Sequence, residues 1–520
     1  NNGGTLGGTG TVGNVTVGSG GTLAPGNSIG ALSVNGNLTF APGSIYRVEA
    51  NSAGAADRVD TVGAGTISIN GGTVDVRAGG AGYQRNTRYT ILSSGGGTTG
   101  RFANATTNLA FLTPTLIYQG NEVLLNLQSS DVLGYASAAR TPNQKAVANY
   151  LQGFADAPLN ADAAALIERI DNMTADQAAA SFESIAGSAH ASASQVASAL
   201  GRNFSSTLAA RSGFGTGGLG NALHDLSQVR YASLAPVHAP QGFAQDRGFW
   251  AQALGAGGRM DADGNAAGSR YGSNGFVLGY DQPVAGRWIA GAAVGYSTSR
   301  WNATSGDAAS GKIETPQAGL YARYDGDRVR VRIDGTLSSH DFTTDRTVII
   351  PGAGATAKSE HKGREWGLAA QVEMPIQAGA WELRPLAGVR HAHLKEDGFS
   401  ETGQGPTNLA VAERSTQNTL LSAGMHFVRP FNQGKGGLEL RAVASHLAGD
   451  NDSPVTGSIA GQPGSFTASG VPLKRNALAL GATVSGEVAR NVSAYLDANY
   501  ETRGSGQDAY RVTAGVRVSF

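Results

Sequence analysis

The sequence has no cysteine, little charge and no long apolar run, and each absence excludes a class of protein. Without cysteine the 520-residue chain can have no disulfide framework, no cysteine-ligated metal and no thiol catalysis. Lys+Arg and Asp+Glu both number 39, so the charge balance favours neither nucleic acid nor an acidic ligand. No apolar stretch approaches the roughly 20 residues of a membrane-spanning helix. A role inside a membrane would therefore require a β-barrel, the other structure that satisfies its backbone polar groups in lipid.

Composition divides the chain into three regions, and a chain of this length is expected to hold more than one domain. Residues 1–128 combine short apolar-alternating pieces with Gly and Asn turns, and residues 129–247 are dominated by Ala, Ser, Gln and Leu. Residues 248–520 return to alternating strands that are longer. The chain begins Asn1-Asn2 without a start methionine or a signal peptide. We therefore expect it to be a part of a longer precursor.

The first region is predicted to be a β-solenoid. Strands of a few residues recur between Gly-Asn, Asn-Gly and Gly-Gly turns, as in Asn37–Phe40, Thr66–Ile69 and Thr73–Val76. This dense recurrence favours the stacked rungs of a parallel β-helix, whose coils bury their apolar faces only against each other. An ordinary β-sandwich is the alternative. The more hydrophobic strands Tyr89–Leu92 and Val123–Leu127 are expected to cap the open end, which would otherwise invite aggregation.

The second region contains an amphipathic helix that could occupy a pore. Apolar residues recur at three- and four-residue spacing and mark one helical face: Phe182, Ile185, Val196, Leu200 and Phe204. The opposite face carries mainly Ser, Ala and Gln, so a helix over about 181–212 would be slim and lightly polar. Such a helix fits a polar tube of limited bore, and a helix of an ordinary bundle is the alternative. A second helical patch, Leu219–Tyr231, is the less favoured candidate for the same position.

The third region alternates as a lipid-embedded barrel must. In the last strand one face carries Tyr510, Val512, Ala514, Val516, Val518 and Phe520, and the other carries Arg511, Thr513, Gly515, Arg517 and Ser519. A charge on the lipid face costs ~2–4 kcal/mol at the bilayer midplane. The placement of both arginines on one face therefore indicates a wet lumen inside and lipid outside.

The connections of the third region predict the size of the barrel. Very tight turns, such as Ala285-Gly286, alternate with long loops rich in Gly, Asp and Ser, such as Asp397–Glu413. Short turns at one end and long loops at the other are typical of outer-membrane barrels, whose strands need about ten residues. We count about twelve strands, and we expect interfacial aromatic girdles to include Trp250, Trp288, Trp366 and Trp381. The prediction is a mainly β protein: an N-terminal solenoid fragment, an α-helical linker with a pore helix, and a 12-stranded antiparallel transmembrane barrel.

This order resembles the type V autotransporters, most closely their pertactin-like branch, over essentially the whole chain. Gly36–Gly43 and Asn108–Thr115 look like the end of the passenger with its autochaperone region. Thr141–Ala148 and Ser184–Ser192 look like the linker. Phe249–Gln252 and Val516–Phe520 look like the opening and closing barrel strands.

The resemblance implies that the barrel inserts in the bacterial outer membrane and exports its own N-terminal passenger to the cell surface, with a helix left as a plug. It implies a barrel-assembly signal at Tyr510, Val512, Val516, Val518 and Phe520. The expected partners are outer-membrane lipid and lipopolysaccharide, the barrel-assembly machinery and periplasmic chaperones, with a monomeric barrel, no nucleic acid and no cofactor. Three possibilities stay open. The barrel could carry an upstream adhesin or enzyme as its passenger, it could take part in virulence, or it could be a general porin.

Self-cleavage is a further property that the resemblance raises. Some autotransporters cut their plug helix at an Asn pair, where the Asn side chain attacks its own backbone carbonyl. No Asn pair occurs in residues 129–247, which leaves Asn203 and Asn221 as single candidates. A structural role is the favoured interpretation of both residues, and we expect a chain that is not an enzyme.

Overall fold

The computed structural model describes residues 3–51, 53–78, 87–129, 134–155, 161–209, 247–304, 308–352, 355–403, 405–431, 436–459 and 461–520. The described chain is mainly β, with four α-helices between an N-terminal solenoid and a C-terminal barrel. No helix within these ranges is long and apolar enough to cross a membrane.

The solenoid is built from three sheets that run along its axis. Its strands are β1 (Thr5–Gly8), β2 (Gly10–Val12), β3 (Val15–Val17), β4 (Thr22–Pro25), β5 (Ala31–Val34), β6 (Leu38–Phe40), β7 (Ile45–Ala50), β8 (Arg58–Thr61), β9 (Ile67–Ile69), β10 (Thr73–Ala78), β11 (Thr87–Ser93), β12 (Thr98–Gly100), β13 (Asn104–Thr107), β14 (Leu112–Gln119) and β15 (Glu122–Ser129). The parallel sheets are β1-β4-β7-β10-β13, β2-β5-β8-β11 and β3-β6-β9-β12. Every third strand thus returns to the same sheet, which confirms the β-solenoid rather than the sandwich.

Stacked apolar side chains hold the rungs together. Register places Tyr46 against Leu23 on one side and Val74 on the other, and all three are fully buried. The end of the stack is closed by β14 and β15, which pair antiparallel with each other, while β15 also pairs antiparallel with β11. The predicted cap is therefore present, and it changes strand direction where the parallel stack stops.

Four helices follow, and they correct the prediction of one long pore helix. They are α1 (Pro142–Ala155), α2 (Ala161–Asp171), α3 (Ala175–Ala186) and α4 (Ala189–Ala209). Thr174 begins α3 with a capping box to Gln177, and Gly187 ends it at φ 66°. Because the left-handed conformation cannot continue a right-handed helix, the single helix predicted over 181–212 is wrong. Leu219–Tyr231 lies outside the described residues.

The barrel is a closed antiparallel sheet. Its strands and those of its loops are β16 (Gly248–Met260), β17 (Ser269–Ala285), β18 (Trp288–Ala303), β19 (Ala309–Asp325), β20 (Arg330–Val348), β21 (Ala355–Glu373), β22 (Ile376–Ala378), β23 (Trp381–Glu396), β24 (Phe399–Ser400), β25 (Leu409–Val411), β26 (Arg414–Phe431), β27 (Gly436–Gly449), β28 (Val455–Ile459), β29 (Phe466–Ala468), β30 (Asn476–Ala489), β31 (Val492–Thr502) and β32 (Gln507–Ser519). Pairing of β16 with β32 and of β21 with β23 closes the ring. With β22 as an extension of β21, twelve strands form the barrel, as predicted.

The barrel strands are longer than expected. They run from 11 residues in β31 to 19 in β20 and β21, whereas about ten suffice to cross a membrane. The hairpin of β20 and β21 is therefore much longer than a membrane crossing requires. The two longest loops also carry structure of their own, a four-stranded sheet of β24, β25, β28 and β29.

Candidate functional site: the occupied lumen of the barrel

The lumen wall is polar and the outer wall is apolar, as the alternation predicted. The residues of the predicted assembly signal, on β32 and directly after it, are all between 47% and 58% exposed: Tyr510, Val512, Val516, Val518 and Phe520. Arg517 and Thr513 of the same strand are buried inside. Trp250 corrects one prediction: it is not a girdle residue but lies in the lumen, where its Nε1 donates to the Tyr321 hydroxyl at 2.9 Å.

Helix α4 lies inside the lumen against strands β17 to β21. Of the residues predicted to form its apolar face, Val196 and Leu200 pack with Trp301, Ile313 and other lumen residues. Phe204 packs with Leu208, Trp250 and Tyr321. Phe182 and Ile185 do not share this face, since they belong to α3 and pack with α1 and α2. The structure thus brings together three of the five predicted residues.

Glycines in the wall allow the helix to come this close. A Cβ on Gly319 would lie 2.7 Å from Leu208 Cδ1, and one on Gly295 would lie 3.1 Å from Phe204 Cε2. The helix also has a glycine at the contact: a Cβ on Gly201 would lie 1.9 Å from Glu365 Oε1. Small residues on both surfaces therefore set the fit between plug and wall.

Polar contacts fix the rotation of α4 in the lumen. Ser205 Oγ donates to Asp334 Oδ2 at 2.9 Å, and Arg414 Nη2 donates to Ser194 Oγ at the same distance. Gln195 Nε2 donates to the Val471 carbonyl at 2.7 Å. The serine- and glutamine-bearing face of the helix, which the sequence showed, is thus matched by donors and acceptors of the barrel.

A buried charge cluster joins the α3–α4 junction to the long-loop end of the barrel. Arg346 on β20 donates from Nη2 to Glu401 Oε2 at 2.5 Å and also binds the Ser184 carbonyl. His190 Nε2 lies 3.0 Å from Glu401 Oε1. Burial would raise the pKa of Glu401, but the hydrogen bond with His190 and the charge of Arg346 more than offset it and lower that pKa to about 2. Glu401 is therefore ionised, and it ties a loop to the plug.

Helices α1 to α3 cover the same end of the barrel. Their apolar residues form one core with the loop sheet, which includes Val147, Ile170 and Phe182 of the helices and Leu409, Val455 and Ile459 of the loops. Asn143 donates from Nδ2 to the Ser469 carbonyl at 2.8 Å and accepts from the Ser469 amide. This cover of helices and loop strands was not predicted from the sequence. Its signal was the even spacing of Leu409 and Val411, and of Val455 and Ile459, which is typical of β-strands.

Other chemistry is sparse. Among the described residues no group of three or more His, Cys, Asp or Glu could hold a metal ion. Asn203 lies within α4, half-buried, and its carbonyl accepts a hydrogen bond from Thr207 Oγ1 at 3.0 Å. Asn221 lies outside the described residues.

Comparison with known proteins identifies the barrel. The family model of the autotransporter beta-domain matches residues 249–499. These residues form an autotransporter β-domain. The barrel of such a domain lies in the bacterial outer membrane, where it acts as the translocator of a passenger, and twelve strands around a helix agree with that assignment.

Individual relatives of the autotransporter β-domain and its N-terminal extension are distant. The chain is 26% identical over 538 aligned residues to an extracellular serine protease of Serratia marcescens, covering 96% of this chain and 50% of that protein. The chain thus spans half the length of this curated relative. Among solved structures, the translocator domain of NalP from Neisseria meningitidis matches 57% of this chain and 92% of its own, at 17% identity and TM-score 0.44. The transport unit of AIDA-I from Escherichia coli matches 59% and 98%, at 14% identity and TM-score 0.41.

Proposed function

We propose that this chain is a self-exporting unit: the barrel carries its N-terminal part to the cell surface and then remains as the anchor, with α4 as the plug. One observation carries the proposal. The helix inside the lumen, α4, is preceded in the chain by helices α1 to α3 and by the solenoid. It begins at Ala189, at the long-loop end of the barrel, where the next residue, His190, contacts Glu401. The barrel itself starts at Gly248, which pairs with Ser519 at the short-turn end. The lumen is therefore occupied by the chain's own connecting segment.

The parts of the chain take matching roles in this proposal. Residues 1–128 are the end of the passenger, 129–247 the linker and 248–520 the translocator. Stepwise folding of the solenoid outside the cell would draw the chain outward, because each rung buries apolar area on the preceding one. The antiparallel cap of β11, β14 and β15 would start that process, which is the autochaperone role. The outward face from Tyr510 to Phe520 would be read by the barrel-assembly machinery after delivery by periplasmic chaperones.

Deletion of the plug tests the proposal. Removing Ala189–Ala209 should raise the single-channel conductance of the purified chain in planar bilayers, because the helix fills the lumen in the structure. A matched deletion of Pro142–Ala155, which forms α1 above the long-loop end and not within the lumen, should raise it much less. Equal conductance of the α4-deleted and intact chains would contradict the assignment of α4 as plug. Surface labelling of the solenoid in intact cells reports export separately.

A second candidate concerns the cargo. The alignment to an extracellular serine protease extends through the solenoid and not only through the barrel. We therefore propose a secreted enzyme as the passenger served by this translocator, with an adhesin as the alternative. A folded reporter fused ahead of residue 3 would show whether the translocator exports a cargo placed there. The hydrolase and adhesion activities of the complete precursor would then decide between an enzyme and an adhesin.

We also propose that the chain does not cut itself at Asn203. Cyclisation needs the side-chain nitrogen to reach the residue's own carbonyl carbon, with loss of the downstream amine and transfer of a proton to it. The carbonyl of Asn203 is instead held by Thr207 in a regular helix. Mass spectrometry of outer membranes should find the intact chain for both the natural protein and Asn203→Ala. A fragment beginning at residue 204 that disappears in Asn203→Ala would overturn this proposal.

A further inference from the structure

A small cavity lies between the plug helix and the lumen wall at the long-loop end of the barrel. Its volume is about 70 Å³, and residues of α4, β16, β17 and the β31–β32 hairpin line it. One water molecule needs roughly 10–15 Å³ of such space, so the cavity holds on the order of five water-sized groups. Because α4 forms one side of it, the cavity belongs to the plugged barrel.

One cation of this cavity has no partner. Arg202 of α4 is half-buried in the lining, and its guanidinium makes no ion pair and no hydrogen bond within the part of the chain that the structure describes. Its neighbour Gly201 faces Glu365 of β21, but Arg390 holds that carboxylate at 2.8 Å. A guanidinium carries only donors. Arg202 therefore needs an acceptor that the described chain does not supply.

The other charged groups of the lining pair with each other. Arg503 Nη2 lies 2.9 Å from Glu501 Oε1, and at the rim Arg259 Nε lies 3.7 Å from Asp508 Oδ2. Burial lowers the pKa of Arg503, and the positive charge of Arg202 lowers it further against the opposing charge of Glu501. Three cations and two carboxylates thus line the cavity, and the positive charge in excess is that of Arg202.

Uncharged polar groups complete the lining. Gln195 of α4 is buried, and its Nε2 donates to the Val471 carbonyl at 2.7 Å, but its Oε1 has no hydrogen-bond partner among the described residues. Ser192 and Tyr271 also line the cavity, and their hydroxyls make no hydrogen bond to any described residue. The cavity therefore offers a cation and two hydroxyls, together with one buried acceptor that requires a donor.

We infer that the cavity binds one hydrogen phosphate ion between the plug and the wall. The ion has about five non-hydrogen atoms, which matches the space. Its oxygens accept from the guanidinium of Arg202 and from the Tyr271 hydroxyl, and its own hydroxyl donates to Gln195 Oε1. Sulfate has the same shape but carries no hydroxyl at neutral pH, so it would leave the buried Gln195 Oε1 unsatisfied. The ligand class is thus a protonated tetrahedral oxyanion.

The bound ion joins the plug to the wall. Arg202 and Gln195 belong to α4, whereas Tyr271 belongs to β17. A ligand that binds only when both surfaces are in place stabilises the plugged state by mass action. The inference rests on the position of α4 in the lumen and goes beyond export of the passenger.

Isothermal titration calorimetry of the purified full chain in detergent tests the inference. Inorganic phosphate or sulfate is added at neutral pH and constant ionic strength, with chloride as the background anion. We expect saturable binding of one phosphate per chain, and about ten-fold weaker binding of sulfate because a buried acceptor stays unpaired. The melting temperature of the barrel should rise over the same range of phosphate concentration. Absence of saturable phosphate binding, or equal affinity for sulfate, would overturn the inference.

Two variants and a matched control locate the site. Arg202→Gln should reduce phosphate affinity about ten-fold, since a hydrogen bond to a charged group is lost. The same variant should melt like the natural chain in phosphate-free buffer, because Arg202 has no partner to lose. Gln195→Met removes the acceptor and should make the affinities for phosphate and sulfate similar. Arg270→Gln removes an exposed arginine of β17, next to Tyr271, and should change neither affinity.

Arg202→Gln decides alone if Gln195→Met fails to fold. Unchanged phosphate affinity in Arg202→Gln, or an equal loss in Arg270→Gln, would show that the ion does not bind in this cavity. Surface labelling of the solenoid in intact cells should be the same for Arg202→Gln and the natural chain. A failure of export and a failure of phosphate binding are therefore read by different measurements.

Discussion

The solenoid and the barrel are both built from alternating strands, yet they place their charged residues on opposite sides. In the solenoid, Tyr46 and Val74 point inward, while Arg47 stays at the surface beside Asp75 at 3.0 Å. In the barrel, Arg384 is fully buried and Leu320 is 69% exposed. Both regions have strands whose side chains alternate between two faces. The polar face is outside in the solenoid and inside in the barrel, because water surrounds the first region and lipid surrounds the second.

This difference changes what holds each region together. Transfer of apolar area out of water stabilises the solenoid interior at roughly 25 cal/mol per Å². The barrel interior instead depends on satisfied charge clusters, since an unpaired buried charge is costly. Substitutions that remove bulk should therefore act most strongly in the solenoid, and substitutions that remove charge should act most strongly in the barrel. Three experiments can break or sharpen this comparison.

The largest effect is expected from Phe40→Ala in the solenoid. The Phe40 ring is fully buried and lies 4.9 Å from that of Phe102 and 5.4 Å from that of Tyr46. Removing it should lower the free energy of unfolding of the solenoid by about 3–5 kcal/mol. Protease resistance of residues 1–128 in a urea series, measured on the detergent-solubilised full chain, gives the shift.

The matched control is Phe276→Ala, an outward residue of β17 that is 50% exposed. It should leave the solenoid midpoint unchanged and move the melting temperature of the barrel only slightly. If Phe40→Ala and Phe276→Ala had equal effects on their own regions, apolar bulk would matter equally in both, and the comparison would fail.

Arg384→Leu should have the next largest effect, and in the barrel. Arg384 is hydrogen-bonded to Glu382, and Glu373 and Glu439 are fully buried around it. Loss of the guanidinium removes the cation that these carboxylates share, but Arg330 still pairs with Glu382 and Arg441 still pairs with Glu439. The cost should therefore be about 3 kcal/mol, at the lower end of the range for a broken buried pair. The loss of stability can be measured by SDS gel electrophoresis, as the temperature at which the fast-migrating folded barrel is converted to the slower unfolded chain.

Arg429→Leu removes an outward cation instead. Arg429 lies 5.7 Å from the Trp381 ring centroid, an exposed cation–π contact worth about 0.5–1 kcal/mol. A barrel that tolerated Arg384→Leu as well as Arg429→Leu would show that its interior charges are not what stabilises it.

The sequence was enough for the strands of both regions, because alternation is a local signal. The solenoid coils, their cap, the twelve barrel strands and the outward face of β32 were all predicted from residues close together in the chain. Parity alone would also have placed Trp250 in the lumen with Gln252, two residues on. The girdle interpretation of Trp250 failed because proximity to a strand end was weighed above strand face.

The parts that the sequence did not show depend on contacts between distant segments. Arg346 and Glu401 are 55 residues apart and meet only because the loop that carries Glu401 folds back onto β20 at the barrel mouth. The helix break at Gly187 is a similar case, since a Cβ there would lie 2.8 Å from Leu409 Cδ1 of a barrel loop. A periodic pattern that runs through Phe182 and Phe204 carries no sign of that loop. One continuous helix was therefore the natural but wrong prediction.

The smallest effect is expected where the two kinds of packing meet, at the contact of the plug with the wall. Gly319→Val should lower barrel stability by about 1–3 kcal/mol, because its Cβ would lie 2.7 Å from Leu208 Cδ1 and 3.1 Å from Phe204 Cε1. Gly272→Val is the control, since a Cβ there meets nothing within 4 Å. The melting temperature of the barrel reports both variants. Adding Leu208→Ala to Gly319→Val should recover part of the loss, so the double variant should be more stable than the sum of the single effects predicts. Strict additivity would mean that Leu208 of α4 does not press on the wall at Gly319.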